Sequence, residues 1–224
     1  MRRTEPQGWT AIRSDGGCTF AERPDIAAPE ARIIWHADLD PGTLHVLALP
    51  IEKGDPDQVE PARLRPWLAV ATDADGQEHA VLSDGWHHIR LDIESGSLSE
   101  GRPVLFHYRL VGVASAAPKI LPLRRLLELC RRGRFAPSLF PRDRRVDRWV
   151  ALLQVHDALR AGASQREIAS VLFGENRTFL DWRSSSDSLR SRVKRLVREA
   201  RTMAAGGYRS LMRRHERQGP SHDC

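Results

Sequence analysis

The spacing of apolar residues changes period once along this chain, near Pro118. Before that point short apolar runs are separated by turn residues; after it, apolar positions recur at three- and four-residue intervals. The first pattern predicts strands. "TLHVLAL" (43–49) is one. "WLAVATDADGQEHAVL" (67–82) reads as two strands joined by a turn, because Asp-Gly supplies the positive φ a hairpin needs. "HHIRLDI" (87–93) alternates, with His88, Arg90 and Asp92 on one face and His87, Ile89, Leu91 and Ile93 on the other. "PVLFHYRLVGV" (103–113) is the longest strand expected, with its proline in first position, where no ladder donor is lost. Together these make a small antiparallel sheet of four to five strands.

The second pattern predicts helices. "LPLRRLLELCRRG" sets Leu123, Leu126, Leu127 and Cys130 on one stripe, places Arg131 and Arg132 where cations suit the helix dipole, and stops at Gly133. "RRVDRWVALLQVHDALRAG" carries Val146, Trp149, Val150, Leu153 and Leu159 and stops at Gly162. In "GASQREIASVLFG" (162–174) Ser164 is the cap and Glu167 its third-position partner, a capping box. Ile168, Val171 and Leu172 should face inward. "SDSLRSRVKRLVREARTMAA" predicts about 18 residues of helix from Ser186, or roughly 27 Å. Its apolar face is Leu189, Val193, Leu196, Val197, Ala200 and Met203; Arg190, Lys194, Arg198 and Arg201 lie across from it, flanked by Arg192 and Arg195. A short helix in "GGYRSLMRR" follows a Gly-Gly break.

The expected class is therefore α+β: a small antiparallel β-rich N-terminal region followed by an all-α bundle of helix-turn-helix type. Four segments follow: an irregular arm over 1–30, the β-rich region over 31–117, a basic helical DNA-binding domain over 118–214 and a disordered tail over 215–224.

Charge sharpens the division. The net of +6 conceals 11 Lys+Arg against 18 Asp+Glu in residues 1–118 and 24 against 11 in residues 119–224. Two regions of opposite sign imply two jobs, and the basic one suits a polyanion, although arginine also simply solvates helix surfaces. The 41% hydrophobic content suits a globular chain, and no apolar run reaches the roughly 18 residues that span a bilayer. The N-terminus lacks the apolar stretch of a secretory signal, and Cys18, Cys130 and Cys224 lie far apart with no metal-binding spacing. A cytoplasmic location, no membrane contact and no cofactor are expected.

A short capped helix, a connection and a longer helix with one apolar and one cationic face fit a helix-turn-helix whose second helix enters a DNA major groove. Ser188, Arg190, Ser191 and Lys194 would then reach base edges, since the planar fork of arginine can bond guanine O6 and N7 together. Arg192, Arg195 and Arg198 join them as candidates. Arg183, Ser184 and Ser185 would hold phosphates beside the helix N-terminus. The alternative is a basic helix on the rim of a bundle. The connection from Gly174 to Ser185 exceeds the three to four residues of a compact motif. Phe179, Leu180 and Trp182 would have to plug the core there.

The residues Leu123, Arg125, Leu126, Leu139-Phe140-Pro141, Trp149, Asp157-Ala158, Gly162-Ala163-Ser164, Arg166-Glu167-Ile168-Ala169, Phe173-Gly174, Trp182-Arg183, Leu189-Arg190, Arg192-Val193, Arg195-Leu196 and Gly207-Tyr208-Arg209 resemble the DUF2285 family, the RovC-like transcriptional activator DNA-binding domain. With "ARIIWHADLDPGTLHVLALP" and "HAVLSDG" upstream, the resemblance covers about 190 residues. It implies a transcriptional regulator, explains the long connection as a family trait, and assigns no individual base contact. No second module is recognised ahead of it.

Other features give no chemistry. Adjacent His87 and His88 point to opposite faces of a strand and cannot easily chelate together. His36, His45, His79, His107 and His156 have no spaced partner. "DADG" has some acidic spacing of a calcium loop but carries Leu82 where the glutamate should stand. Cys130, Trp149 and Trp182 read as core. No catalytic arrangement appears, so no enzyme activity is expected.

The leading reading is a sequence-specific double-stranded DNA-binding regulator, a homo-oligomer whose acidic β-rich region over 31–115 serves oligomerisation, contact with RNA polymerase or another regulator, or small-ligand sensing. One alternative is an antiactivator of the same fold that sequesters a regulator without binding DNA. A sigma-like subunit is a third, against which stands the lack of a separate polymerase-binding helical domain.

Overall fold

The computed structural model describes residues 26–27, 29–175 and 188–213. The expected arm, the expected tail, the cap at Ser186, the plugging residues Phe179, Leu180 and Trp182, and Arg183, Ser184 and Ser185 lie outside them or almost wholly so. The chain divides into two compact units, one reaching to Phe140 and the other running from Pro141 to Leu211. The class is α+β.

The first unit is built on five strands: β1 (Leu44–Pro50), β2 (Leu68–Thr72), β3 (Glu78–Ser83), β4 (His88–Gly96) and β5 (Val104–Tyr108), with a four-residue helix α1 (Pro61–Leu64) between β1 and β2. Their order is β2-β3-β4-β1-β5. The sheet is mostly antiparallel, not wholly so as the sequence led one to expect. β1 pairs parallel with β4, Leu44 opposite Leu91 and Val46 opposite Ile93. That pairing lets both strands bury one apolar row (Leu44, Val46 and Ala48; Ile89, Leu91 and Ile93) in the same core. Gly96 closes the register: its φ is +82°, and a Cβ there would collide with the carbonyl of Ala48.

The last predicted strand is shorter than expected. β5 ends at Tyr108, and Val113 already begins helix α2 (Val113–Arg132), which Gly133 caps in the left-handed conformation. The boundary expected at residue 118 thus falls inside α2. Leu126 and Leu129 of this helix are fully buried in the sheet's own core, with Leu123 and Cys130 packed beside them. Leu129 takes the place predicted for Leu127, which is exposed. Burial pushes the Cys130 thiol up to about 11, as suits a core cysteine.

The other face of β4 is closed as well. Arg90 and Asp92, which alternation put on the polar face, are buried, and their charges pair. Arg90 Nη2 donates to Asp92 Oδ1 at 2.6 Å, its Nε to the Trp35 carbonyl at 3.1 Å, and its Nη1 to the carbonyls of Ala80 and Leu91. His79 bridges Asp92 (Nδ1 to Oδ1, 2.5 Å) and Asp73 (Nε2 to Oδ2, 3.1 Å). Asp73 in turn accepts from the backbone N–H groups of Asp75 and Gln77. The "DADG" turn is therefore a five-residue loop tied to the sheet through one histidine.

Candidate nucleic-acid interface

In the second unit the sequence makes three helices, α3 (Val146–Arg160), α4 (Gln165–Phe173) and α5 (Ser188–Thr202). They share one core of Leu152, Val155, Ile168, Ala169, Val193, Val197 and Ala200. A π-type turn (Met203–Gly207) ends α5, with Gly206 at φ +107°, and α6 (Arg209–Arg213) follows.

The turn between α3 and α4 is tight because Gly162 accepts a φ of +83°. The N–H of Ala163 then reaches the Ala158 carbonyl at 2.9 Å and that of Gly162 the Leu159 carbonyl at 3.1 Å. The capping box stands as predicted. Ser164 Oγ accepts from the Glu167 N–H at 3.3 Å, and Glu167 Oε2 from the Ser164 N–H at 2.7 Å. The hydrogen bonds with Ser164 hold the Glu167 carboxyl below its ordinary range. The inward faces differ in part from the expectation. Val171 is 83% exposed, and Ile168 with Ala169 fills the core instead. On α3, Val150 and Leu153 are exposed while Leu152 and Val155 are buried. Periodicity marks an apolar row without saying which row finds a partner.

The face of α5 is clearer. Leu189, Val193, Val197 and Ala200 are buried, and Leu196 and Met203 are partly covered. Arg190, Lys194, Arg198 and Arg201 repeat the spacing of the buried row one residue later, so they run along a flank about 100° round the helix. All four are exposed, as are Arg192 and Arg195. Ser191 is half-buried, and Ser188 opens the helix. Of the nine candidate residues, the structure thus sets seven on one helix; Arg183 and Ser185 lie outside the described residues.

Two interactions that sequence spacing could not disclose set this helix against its neighbours. Arg148 of α3 grips Glu199, the one acidic residue of α5, through both Nε (3.1 Å to Oε1) and Nη2. The contact holds the Glu199 carboxyl below its ordinary range. The Arg192 guanidinium lies over the Phe173 ring of α4, 4.6 Å from its centroid. Between the three helices is a cleft of about 380 Å³, rimmed by Asp147, Arg148, Arg192 and Arg195 and floored by Ala151, Leu172, Phe173 and Leu196. Trp149 packs on the core with the Arg145 guanidinium over its ring, so it anchors the helix and offers no platform for a base.

The helix thus presents six exposed basic side chains, and its single carboxylate is paired with Arg148. Residues 114–213 match the family model RovC_DNA-bd, described as T6SS, Transcription factor, DNA binding domain. That segment is similar to a transcription-factor DNA-binding domain. The RovC-like resemblance read from the sequence holds over these residues, which run from α2 through α6. No curated protein matches the chain. Among the described residues no group of three or more His, Cys, Asp or Glu side chains is placed to hold a metal ion, and no helix is long and apolar enough to cross a membrane.

Proposed function

We propose that the RovC-like segment makes this chain a sequence-specific regulator of transcription that reads double-stranded DNA with α5. The observation that carries the reading is the exposure of Arg190, Lys194, Arg198 and Arg201 along one flank, while the aliphatic residues beside them pin the helix to α3 and α4. A single helix fits a major groove about 12 Å wide. Ser188, Arg190, Ser191 and Lys194, at its N-terminal end, address base edges; Arg192, Arg195 and Arg198 neutralise phosphates, with Arg183 and Ser185 beside the helix start. Arg192 is pre-positioned by Phe173, which lowers the entropy lost when it meets a phosphate.

Glu199 would repel that phosphate backbone if it were free. Its pairing with Arg148 removes the repulsion and leaves α5 uniformly positive toward DNA. The acidic β-rich region of residues 31–117 is assigned the regulatory contact, with RNA polymerase or another regulator as its partner. The antiactivator reading loses ground because the matched family description is of a DNA-binding domain.

The test is charge reversal. Arg190→Glu with Lys194→Glu abolishes binding to a selected duplex in fluorescence anisotropy while circular dichroism stays unchanged. Undiminished binding in a folded double variant removes α5 from the account.

A further inference from the structure

Burial and aim are set by different residues of α5. Leu189, Val193, Val197 and Ala200 decide which side of the helix is buried in the core of the second unit. Burial is non-directional, and three of these four side chains are only Val or Ala, so the core leaves the roll of α5 about its own axis loosely set. At about 100° per residue, Arg190, Lys194, Arg198 and Arg201 lie about 60–140° to one side of Val193. Arg192 and Glu199 lie about 100–120° to the other side. These two stand about two turns apart, and each is held by a different neighbour. Arg192 spreads over the Phe173 ring of α4, while Glu199 accepts from Nε and Nη2 of Arg148 on α3. The second contact is a fork, two donors on two carboxylate oxygens, which fixes orientation as well as distance. Its side chains are 56% and 37% exposed, so it adds little to stability.

We infer that the Arg148–Glu199 fork sets the roll of α5 and so aims Arg190 and Lys194 at base edges. Arg148 and Glu199 are positioning residues for sequence discrimination, a role beyond the removal of one negative charge. This role rests on the reading of α5 proposed above. Side chains reach about 6 Å from a helix axis, so a roll of about 20° carries their ends about 2 Å sideways. A hydrogen bond tolerates only a few tenths of an ångström. A roll of that size breaks a two-bond contact to a base. Contacts to phosphate, which carry no sequence information, suffer less because long side chains can follow the backbone.

Three variants of the full chain separate aim from charge. Arg148→Lys keeps the charge and loses the fork; Arg148→Gln leaves Glu199 unpaired; Glu199→Gln removes the carboxylate. Each is titrated by fluorescence anisotropy against a duplex selected from a random pool by the parent chain and against its scrambled counterpart. Circular dichroism and melting temperature should match the parent in all three, as an exposed pair allows. A pair that only manages charge would give weaker binding to both duplexes in Arg148→Gln, stronger binding to both in Glu199→Gln, and one constant ratio of the two affinities throughout. The fork predicts that all three variants lose about tenfold in that ratio, the discrimination one two-bond base contact supplies. Arg148→Glu combined with Glu199→Arg should recover part of it through the reversed pair. An unchanged ratio in Arg148→Lys overturns the inference and leaves the reading of α5 standing. A parent chain that does not distinguish the two duplexes refutes that reading, and the role of the fork falls with it.

Discussion

Salt dependence offers a quantitative check on which arginines meet phosphate. Each phosphate neutralised on double-stranded DNA releases condensed counterion, so the logarithm of the binding constant falls with the logarithm of salt by about 0.9 per contact. Six basic side chains of α5 are exposed, and Arg148 lies beside the same helix but is tied to Glu199. Five to six contacts give a slope of about −5, or roughly a thousandfold loss of affinity between 50 and 200 mM salt. Replacing Arg195 and Arg198 by alanine takes away two contacts and should bring the slope to about −3.2 by the same rule. Both side chains project from the exposed part of the helix and are absent from its core, so folding is not at stake. Fluorescence anisotropy titrations at four or more salt concentrations, on a selected and a scrambled duplex, measure the slope. A change of about 1.8 shared by both duplexes marks phosphate contacts. A slope unchanged within error refutes the assignment, whatever happens to affinity at one salt concentration.

Further outcomes follow from the packing and the titratable groups. Ser164→Ala removes the cap of α4 and should cost about 1 kcal/mol in urea unfolding, with little effect on the first unit. Leu152→Ala opens the shared core of the second unit and should cost about 2–5 kcal/mol by the same measurement. Burial pulls the His79 imidazole down, but its hydrogen bonds to Asp92 and Asp73 prevail and raise it above 6.5. The first unit should therefore keep this stabilisation below pH 6.5 and lose it as pH rises through the folded value, and His79→Gln should flatten the pH dependence of its melting temperature. Asp92 adds the acid limb. Burial pushes its carboxyl up, His79 and Arg90 together hold it below 3.8, and its contribution is lost as pH falls through that lowered value. Gly96→Ala should disrupt the β1–β4 pairing, seen as lost amide-exchange protection in both strands.

The local grammar of this chain was readable wherever one residue's chemistry decides the outcome. Ser164 and Glu167 specify a cap between themselves, Gly133 and Gly162 stop helices by backbone freedom alone, and the spacing from Leu189 to Ala200 gave the buried face of α5. What could not be read is what depends on a partner distant in sequence. Val150 and Leu153 are as apolar as Leu152 and Val155, yet only the second pair meets α5. Nothing near β1 announces a parallel neighbour nearly fifty residues on, and nothing in α2 says that a sheet will cover Leu129 and leave Leu127 bare. The pairing of Arg148 with Glu199 spans 51 residues and has no signature in either helix. The contacts most useful to the proposed function are thus the least visible in the sequence.

The length of α5 has a consequence for genomic selectivity. Fifteen residues make a rod of about 22 Å, cut off by the glycine kink that follows Met203. Laid along a groove, it passes about six base-pair steps at roughly 3.4 Å each. A word of six letters recurs about once in four thousand positions by chance, whereas a bacterial chromosome presents on the order of a million competing sites. Turning the kink into a straight helix would lengthen the rod but carry its last turns off the curving groove. If α5 reads DNA as proposed, addressing a unique promoter would require several such words to be read at once, and the number of chains assembled, rather than the reach of any one, would set how many genes respond.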